Sequence, residues 1–290
     1  MKTFADCIPC FLTQALTAAR MASDDPSMHS HVLRMVAGAI AEMDLEKTPP
    51  QMAQEIHRII RSVSGVPDPY AEVKEQFNTL ALDLYPDLKE IVAKSSDAFE
   101  TAVRLAMAGN IIDFGVSSRV TGDMLSASIR ESLTYDLDHG SLDALRDEVT
   151  SAETILYLCD NAGEIVFDRI LIEELPRDRV TAVVRGAPVI NDATMEDAVQ
   201  VGLTQIVRVI DNGSDAPGTI LEDCSEELRN ALNAADVVIA KGQGNYETLS
   251  SVSRSVYHIL RVKCPVIARD MGCNVGSCVV TRCATHVDGQ

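Results

Sequence analysis

Apolar positions follow two regimes along the chain. Over Met28–Met43, Pro50–Val63, Pro69–Tyr85 and Asp87–Ala108 they recur at three- and four-residue steps, separated by Asp-Pro, Pro-Pro, Pro-Asp-Pro and Tyr-Pro breakers. This periodicity predicts an α-helical bundle or cap over residues 1–105. From residue 106 to 290 the pattern changes to short apolar runs alternating with helical stretches. In Thr154–Cys159, Ile155, Leu156, Tyr157 and Leu158 leave no polar face, as expected for a strand covered on both sides. Asp160, Asn161, Ala162 and Gly163 then form a polar turn. Helical spacing resumes from Glu164 through Ile165, Ile170, Leu171 and Leu175 until Pro176. Similar runs occupy Arg179–Val184, Ile206–Ile210, Asp236–Ala240 and Pro265–Ala268, and Ser277–Cys283 adds a further candidate strand. Strands alternating with helices predict a doubly wound α/β domain with helices on both faces of the sheet.

The strand ends carry the polar chemistry. In an open α/β sheet, ligands bind outside the carboxyl ends of the strands, and a helix starting there offers free N–H groups to an anion. Asp160 and Asn161 follow the first run, Asn191 and Asp192 follow the second, and Asp211 opens a glycine-rich loop after the third. Lys241 follows the fourth and precedes Gly242 and Gly244. Hard divalent ions take oxygen ligands, often only one or two carboxylates, so Asp160, Asn161 and Asp192 form a plausible sparse metal shell. Any one of them taken singly reads equally well as a helix cap. Their recurrence at successive strand ends, with a cation at another, points to a ligand site. Lys241 with bare backbone at Gly242 and Gly244 suits a phosphate. The order is not that of a P-loop, and no GxGxxG follows a strand.

Composition narrows the classes of partner. The 290 residues carry 25 Lys plus Arg against 43 Asp plus Glu, a formal charge of -18, which argues against nucleic-acid and anionic-membrane surfaces. Any phosphate-bearing ligand must then be bound by local chemistry, through a metal ion, a few cations and backbone N–H groups. No apolar run reaches the length of a membrane span and no signal-peptide order opens the chain, so a cytoplasmic location is expected. The eight cysteines are expected to be reduced thiols. Cys7 and Cys10 form a CxxC pair that reads as structural or incidental thiols, as a metal or redox pair, or as neighbours of the active site.

Taken in order, DNAGE from Asp160, VRGAPVINDAT from Val184, IDNGSDAPGT from Ile210 and KGQGNYE from Lys241 resemble the DUF89 family, also called damage-control phosphatases. GNIIDFG from Gly109 and the CxxC resemble its microbial branch. The resemblance implies a three-layer α/β/α, mostly parallel sheet with one antiparallel edge strand, joined to an α-helical domain. It further implies a metal-dependent phosphatase using Mg²⁺, Mn²⁺, Co²⁺ or Ni²⁺ on Asp160, Asn161 and Asp192, with Lys241 binding phosphate. Asn110, Asp113, Arg185, Asn191, Asp211, Glu247 and the Gly242–Gly244 backbone are implied neighbours of the pocket. The implied substrates are phosphometabolites, including sugar phosphates and nucleotide-like or damaged compounds. The rival readings are an S-adenosylmethionine-dependent methyltransferase on the same sheet, and a non-enzymatic thiolate module built on Cys7 and Cys10.

Overall fold

The computed structural model describes residues 1–110 and 122–283. Asp113 lies outside the described residues. Five helices come first: α1 (Cys7–Ala22), α2 (Pro26–Ala41), α3 (Pro49–Ser64), α4 (Ala71–Lys94) and α5 (Ala98–Gly109). Where the pattern predicts two helices meeting at Tyr85-Pro86, α4 runs through with Pro86 inside it. The break comes instead at Asp97, whose side chain accepts the Glu100 N–H at 2.9 Å and caps α5. After α6 (Gly122–Ser132) and α7 (His139–Ser151), strands and helices alternate. They are β1 (Ile155–Leu158), α8 (Glu164–Glu173), β2 (Val180–Val184), α9 (Met195–Gln200), β3 (Arg208–Asp211), α10 (Glu226–Ala234), β4 (Val237–Lys241), α11 (Gly242–Leu249), β5 (Val256–Arg261), α12 (Pro265–Met271) and β6 (Cys278–Cys283).

The six strands form one sheet in the order β3-β2-β1-β4-β5-β6, parallel except for the antiparallel edge β6. Pro265–Ala268, expected as a strand, is instead the start of α12. Pro265 occupies its first turn, where a missing N–H costs nothing. The strand is Val256–Arg261, rich in β-branched and aromatic residues.

Strand periodicity separates the two faces of the sheet. Ile155, Tyr157, Val237 and Ile239 pack with α4, α5, α7 and α8, whereas Leu156, Leu158, Val238 and Ala240 pack with α10 and Leu249 of α11. The layers are therefore α/β/α. Helices α1–α3 enclose a separate apolar cluster around Phe11, Val32, Val36, Ile56 and Ile60, while α4 and α5 belong to the cluster that covers β1. Among the described residues no helix is long and apolar enough to cross a membrane.

The strand order reverses between β1 and β4, which opens the crevice where ligands bind in such sheets. Register then decides what meets there. Leu158 pairs with Val183 and with Ala240, so two residues further on Asp160 comes level with Arg185 and Gly242.

Candidate active site

Two loops at this crevice pair with each other. The Ala162 N–H donates to Asn191 O and the Ala193 N–H to Asp160 O, each at 2.8 Å, and Asn161 bridges to Asp192. The loop after β1 and the loop after β2 thus present Asp160, Asn161 and Asp192 side by side. Ile190, just before this pair, has φ +45°, a costly conformation for a β-branched residue. Its side chain packs against the α1–α3 cluster, and that burial offsets the strain.

Asp160 is held by amides. Asn110 at the end of α5 donates Nδ2 to Asp160 Oδ2 at 3.0 Å and to Glu164 Oε2 at 2.7 Å; Asn161 Nδ2 donates to the same two oxygens at 2.7 and 2.9 Å. Arg185 donates Nε to Asp192 Oδ2 at 2.6 Å, and its Nη2 stands 3.7 Å from Asp160 Oδ1. Asn245 of α11 fixes the guanidinium from behind, accepting from Nη1 at 3.4 Å while donating to Lys241 O at 2.8 Å. Arg185 Nη2 and Asn110 Oδ1 are buried without a hydrogen-bond partner among the described residues.

Lys241 lies one layer deeper than expected. Its ammonium donates to Glu164 Oε1 and Ala106 O, both at 2.9 Å, and to Asp168 Oδ1, which also accepts from Tyr157. Lys241 and Asp168 are fully buried and Glu164 is 1 % exposed, whereas Asp160 and Asn161 keep 8 and 9 % of their surface. The expected phosphate-binding lysine therefore spends its hydrogen bonds inside the protein, whereas Arg185 keeps an unpaired donor beside Asp160.

Charge follows this layout. Burial lifts the Asp160 carboxyl well above the usual range, and repulsion from Glu164 and Asp192 lifts it further. Burial also raises Asp192, against the opposing pull of Arg185. Burial works against ionised Glu164 too, but Lys241 and the two amides overcome it and hold that carboxyl low. Burial pushes Asp168 up to about 6 despite Lys241. The two carboxylates outweigh burial at Lys241 and keep it protonated. Four buried carboxyl groups, Asp160, Glu164, Asp168 and Asp192, share two buried cations, Arg185 and Lys241, while the half-buried Lys263 also draws on Asp160.

A cation between Asp160 and Asp192 would relieve the repulsion that lifts Asp160. No three His, Cys, Asp or Glu side chains among the described residues form a metal cage. The donor set at the mouth, two carboxylates and an amide oxygen, is the hard, sparse shell that suits an ion retaining water and substrate oxygens.

Other expected pocket residues play different parts. Gly242, at φ +78°, lies against the Asp160 carboxylate: a Cβ there would stand 1.8 Å from Oδ2. Gly244 admits the loop after β3, since its Cβ would meet Pro217 O at 2.6 Å. Asn191 contributes its backbone carbonyl, and Asp211 is exposed and accepts the Gly213 N–H at 2.9 Å within its own turn. Glu247 is on another face of α11, bonded by Gln243 at 2.9 Å, and its backbone carbonyl accepts the Met1 amine at 3.2 Å. Burial pushes its carboxyl up to about 7. A cleft lined by Thr154, Arg177, Arg179, Thr181 and Arg208 opens at the opposite, amino-terminal end of the strands, far from this chemistry. Glu164, Asp168 and Asn245 escaped the sequence reading, although Glu164 and Asp168 share one helix face at an i, i+4 spacing and Asn245 stands four residues after Lys241.

Residues 3–279 match the family model described as the damage-control phosphatase ARMT1-like domain. A damage-control phosphatase of Archaeoglobus fulgidus is 38% identical over 96% of this chain and 98% of its own. One of Pyrococcus horikoshii is 34% identical over 97% and 98%. An uncharacterized protein of Methanocaldococcus jannaschii is 36% identical over 97% and 96%. The crystal structure of a DUF89 family protein from Pyrococcus horikoshii superposes with a TM-score of 0.89 at 34% identity, covering 98% of this chain and 99% of that one.

Proposed function

Since this chain belongs to the damage-control phosphatase ARMT1-like family, also called DUF89, we propose that it hydrolyses phosphomonoesters of small metabolites with a divalent cation held by Asp160, Asn161 and Asp192. The observation that supports the metal dependence is the convergence of Asp160, Asn161 and Asp192 at the mouth of the crevice, where burial acts against both carboxylates and repulsion from Glu164 adds to it. When bound, Mg²⁺, Mn²⁺, Co²⁺ or Ni²⁺ supplies a Lewis acid for a phosphoryl oxygen and lowers the pKa of a coordinated water.

The protein's own groups do the rest. Arg185 directs Nη2 to an equatorial phosphate oxygen, stabilising the charge that develops there. Asn110 and Asn161 fix the Asp160 carboxylate, which either orients an attacking water or attacks phosphorus itself; in the second route the P–O ester bond breaks, the alcohol leaves with a proton from solvent, and water then hydrolyses the aspartyl-phosphate to release phosphate. Lys241 bridges Glu164 and Asp168 from behind and so holds the carboxylate layer in place. Sugar phosphates and nucleotide-like or damaged phosphometabolites are the substrate class.

The test is phosphate release from a panel of sugar phosphates, nucleotides and p-nitrophenyl phosphate, using metal-stripped protein and then each added ion. Release that requires metal and disappears in Asp160→Ala is expected. Equal release with and without metal would remove the metal reading, and a phosphoenzyme trapped after acid quench would select the aspartyl route.

A further inference from the structure

Helix α4, outside the strand-loop segments that supply the candidate ligands, is tied to both of them. Asn78 is fully buried on it, and both its amide hydrogens and its oxygen are engaged. Its Oδ1 accepts the Gly163 N–H at 2.7 Å; its Nδ2 donates to Asp197 Oδ1 at 2.8 Å and Gln200 Oε1 at 2.7 Å. Gly163 ends the loop that carries Asp160 and Asn161. Asp197 anchors the loop that carries Asp192, because its other oxygen accepts both the N–H and the hydroxyl of Thr194 at 2.8 Å. One turn earlier on α4, Lys74 sits 3.1 Å from that same Asp197 oxygen and 3.1 Å from Asp68. The Asp68–Lys74–Asp197 chain thus holds Asp197 aimed at Thr194, while Asn78 crosses from Asp197 to Gly163.

We infer that Asn78, with Lys74 supporting it through Asp197, is the positioning element that sets the spacing of Asp160 and Asn161 against Asp192. This inference rests on the reading of those three residues as the metal shell. The two loops are already joined by the backbone bonds at Ala162 and Ala193, which fix their pairing. Asn78 adds what those bonds lack, a fixed point outside both loops, which prevents the pair from rocking as a unit over the crevice. Partners that orient ligating groups in this way typically change metal affinity by about 10- to 100-fold when removed.

The test compares Mn²⁺ binding, by titration calorimetry and by the loss of free-ion electron paramagnetic resonance signal, in wild type, Asn78→Ala, Asn78→Asp and Leu88→Ala. Leu88 lies buried on α4 within the main core and serves as the stability control. The expected result is a dissociation constant about tenfold or more higher in Asn78→Ala. Asn78→Asp, which keeps an acceptor for Gly163 but loses the donor to Asp197, should also weaken binding, and it carries the test if the alanine variant does not fold. Leu88→Ala should lower the melting temperature and leave the dissociation constant unchanged. Binding by wild type with the same constant in both Asn78 variants, or the same weakening in Leu88→Ala, would overturn the inference alone. Absence of Mn²⁺ binding by wild type would overturn the metal shell and the inference with it.

Discussion

Replacing Gly242 by alanine tests the crevice with a single methyl group. The residue has φ +78°, and its Cβ would stand 1.8 Å from Asp160 Oδ2 and 2.2 Å from Cγ. The left-handed conformation costs a residue with a Cβ about 1–2 kcal/mol. The Asp160 carboxylate must also turn away, abandoning the amides of Asn110 and Asn161 at 3.0 and 2.7 Å. Hydrogen bonds to a charged group contribute about 1.5–3 kcal/mol each. Both amides keep Glu164 Oε2 as a partner, so the net loss is nearer one bond than two. The total is about 3–5 kcal/mol. At roughly 2–4 °C per kcal/mol for a chain of this size, the melting temperature should fall by about 6 °C or more. A reactive group misplaced by about 1 Å costs about 100-fold in rate, so metal-dependent phosphate release should drop by at least that factor. Differential scanning calorimetry and the phosphate-release assay read the two effects. A Gly242→Ala protein with unchanged melting temperature and full activity would refute the placement of Asp160 against α11.

Three further outcomes follow from the same geometry. Arg185→Lys keeps the charge but loses the forked donor set, so product inhibition by inorganic phosphate should weaken by about tenfold; unchanged inhibition would remove Arg185 from phosphate binding. Lys241→Met leaves Glu164 and Asp168 buried without their cation, at a cost of about 3–5 kcal/mol in urea unfolding, and a loss below about 1 kcal/mol would show that the pair is dispensable. His57 and His258 are buried, and burial lowers them to about 4 and about 3. The unfolded chain takes up protons first as pH falls below about 6.5, so stability should be fully present above that value and decline towards pH 4. His258→Phe should flatten part of that slope in melting temperature against pH, and an unaltered slope would contradict it.

The alternation of apolar runs and polar strand ends was legible because both are local. Thr154–Cys159 followed by Asp160 and Asn161 needs only a dozen residues to be recognised. Pro86 misled because a proline breaks a helix only when the surrounding packing allows it, and here Ala81 before it and Leu88 and Val92 after it are buried in the same core. Val256–Arg261 was hidden by His258 and Arg261, which interrupt its apolar pattern, while Pro265–Ala268 imitated a strand over too short a window. The role of Lys241 could not be read locally. Its partners Glu164 and Asp168 follow β1, which becomes a neighbour of β4 only through the strand order. KGQGNYE looks like one functional loop, but its helical turn brings Gly242 against Asp160 and Asn245 against Arg185, while Gln243 bonds Glu247 on another face.

The bonds that build the crevice are long in sequence as well as short in space. Gly163 meets Asn78 across 85 residues and Lys241 meets Ala106 across 135. Contacts of such separation form late, after the loop-closure entropy between them has been overcome. Helices α1–α3 close their own apolar cluster from neighbouring segments and need none of these contacts. During refolding, helical signal should therefore return ahead of the carboxylate site, and a chain that has regained most of its secondary structure still lacks the place where its chemistry happens.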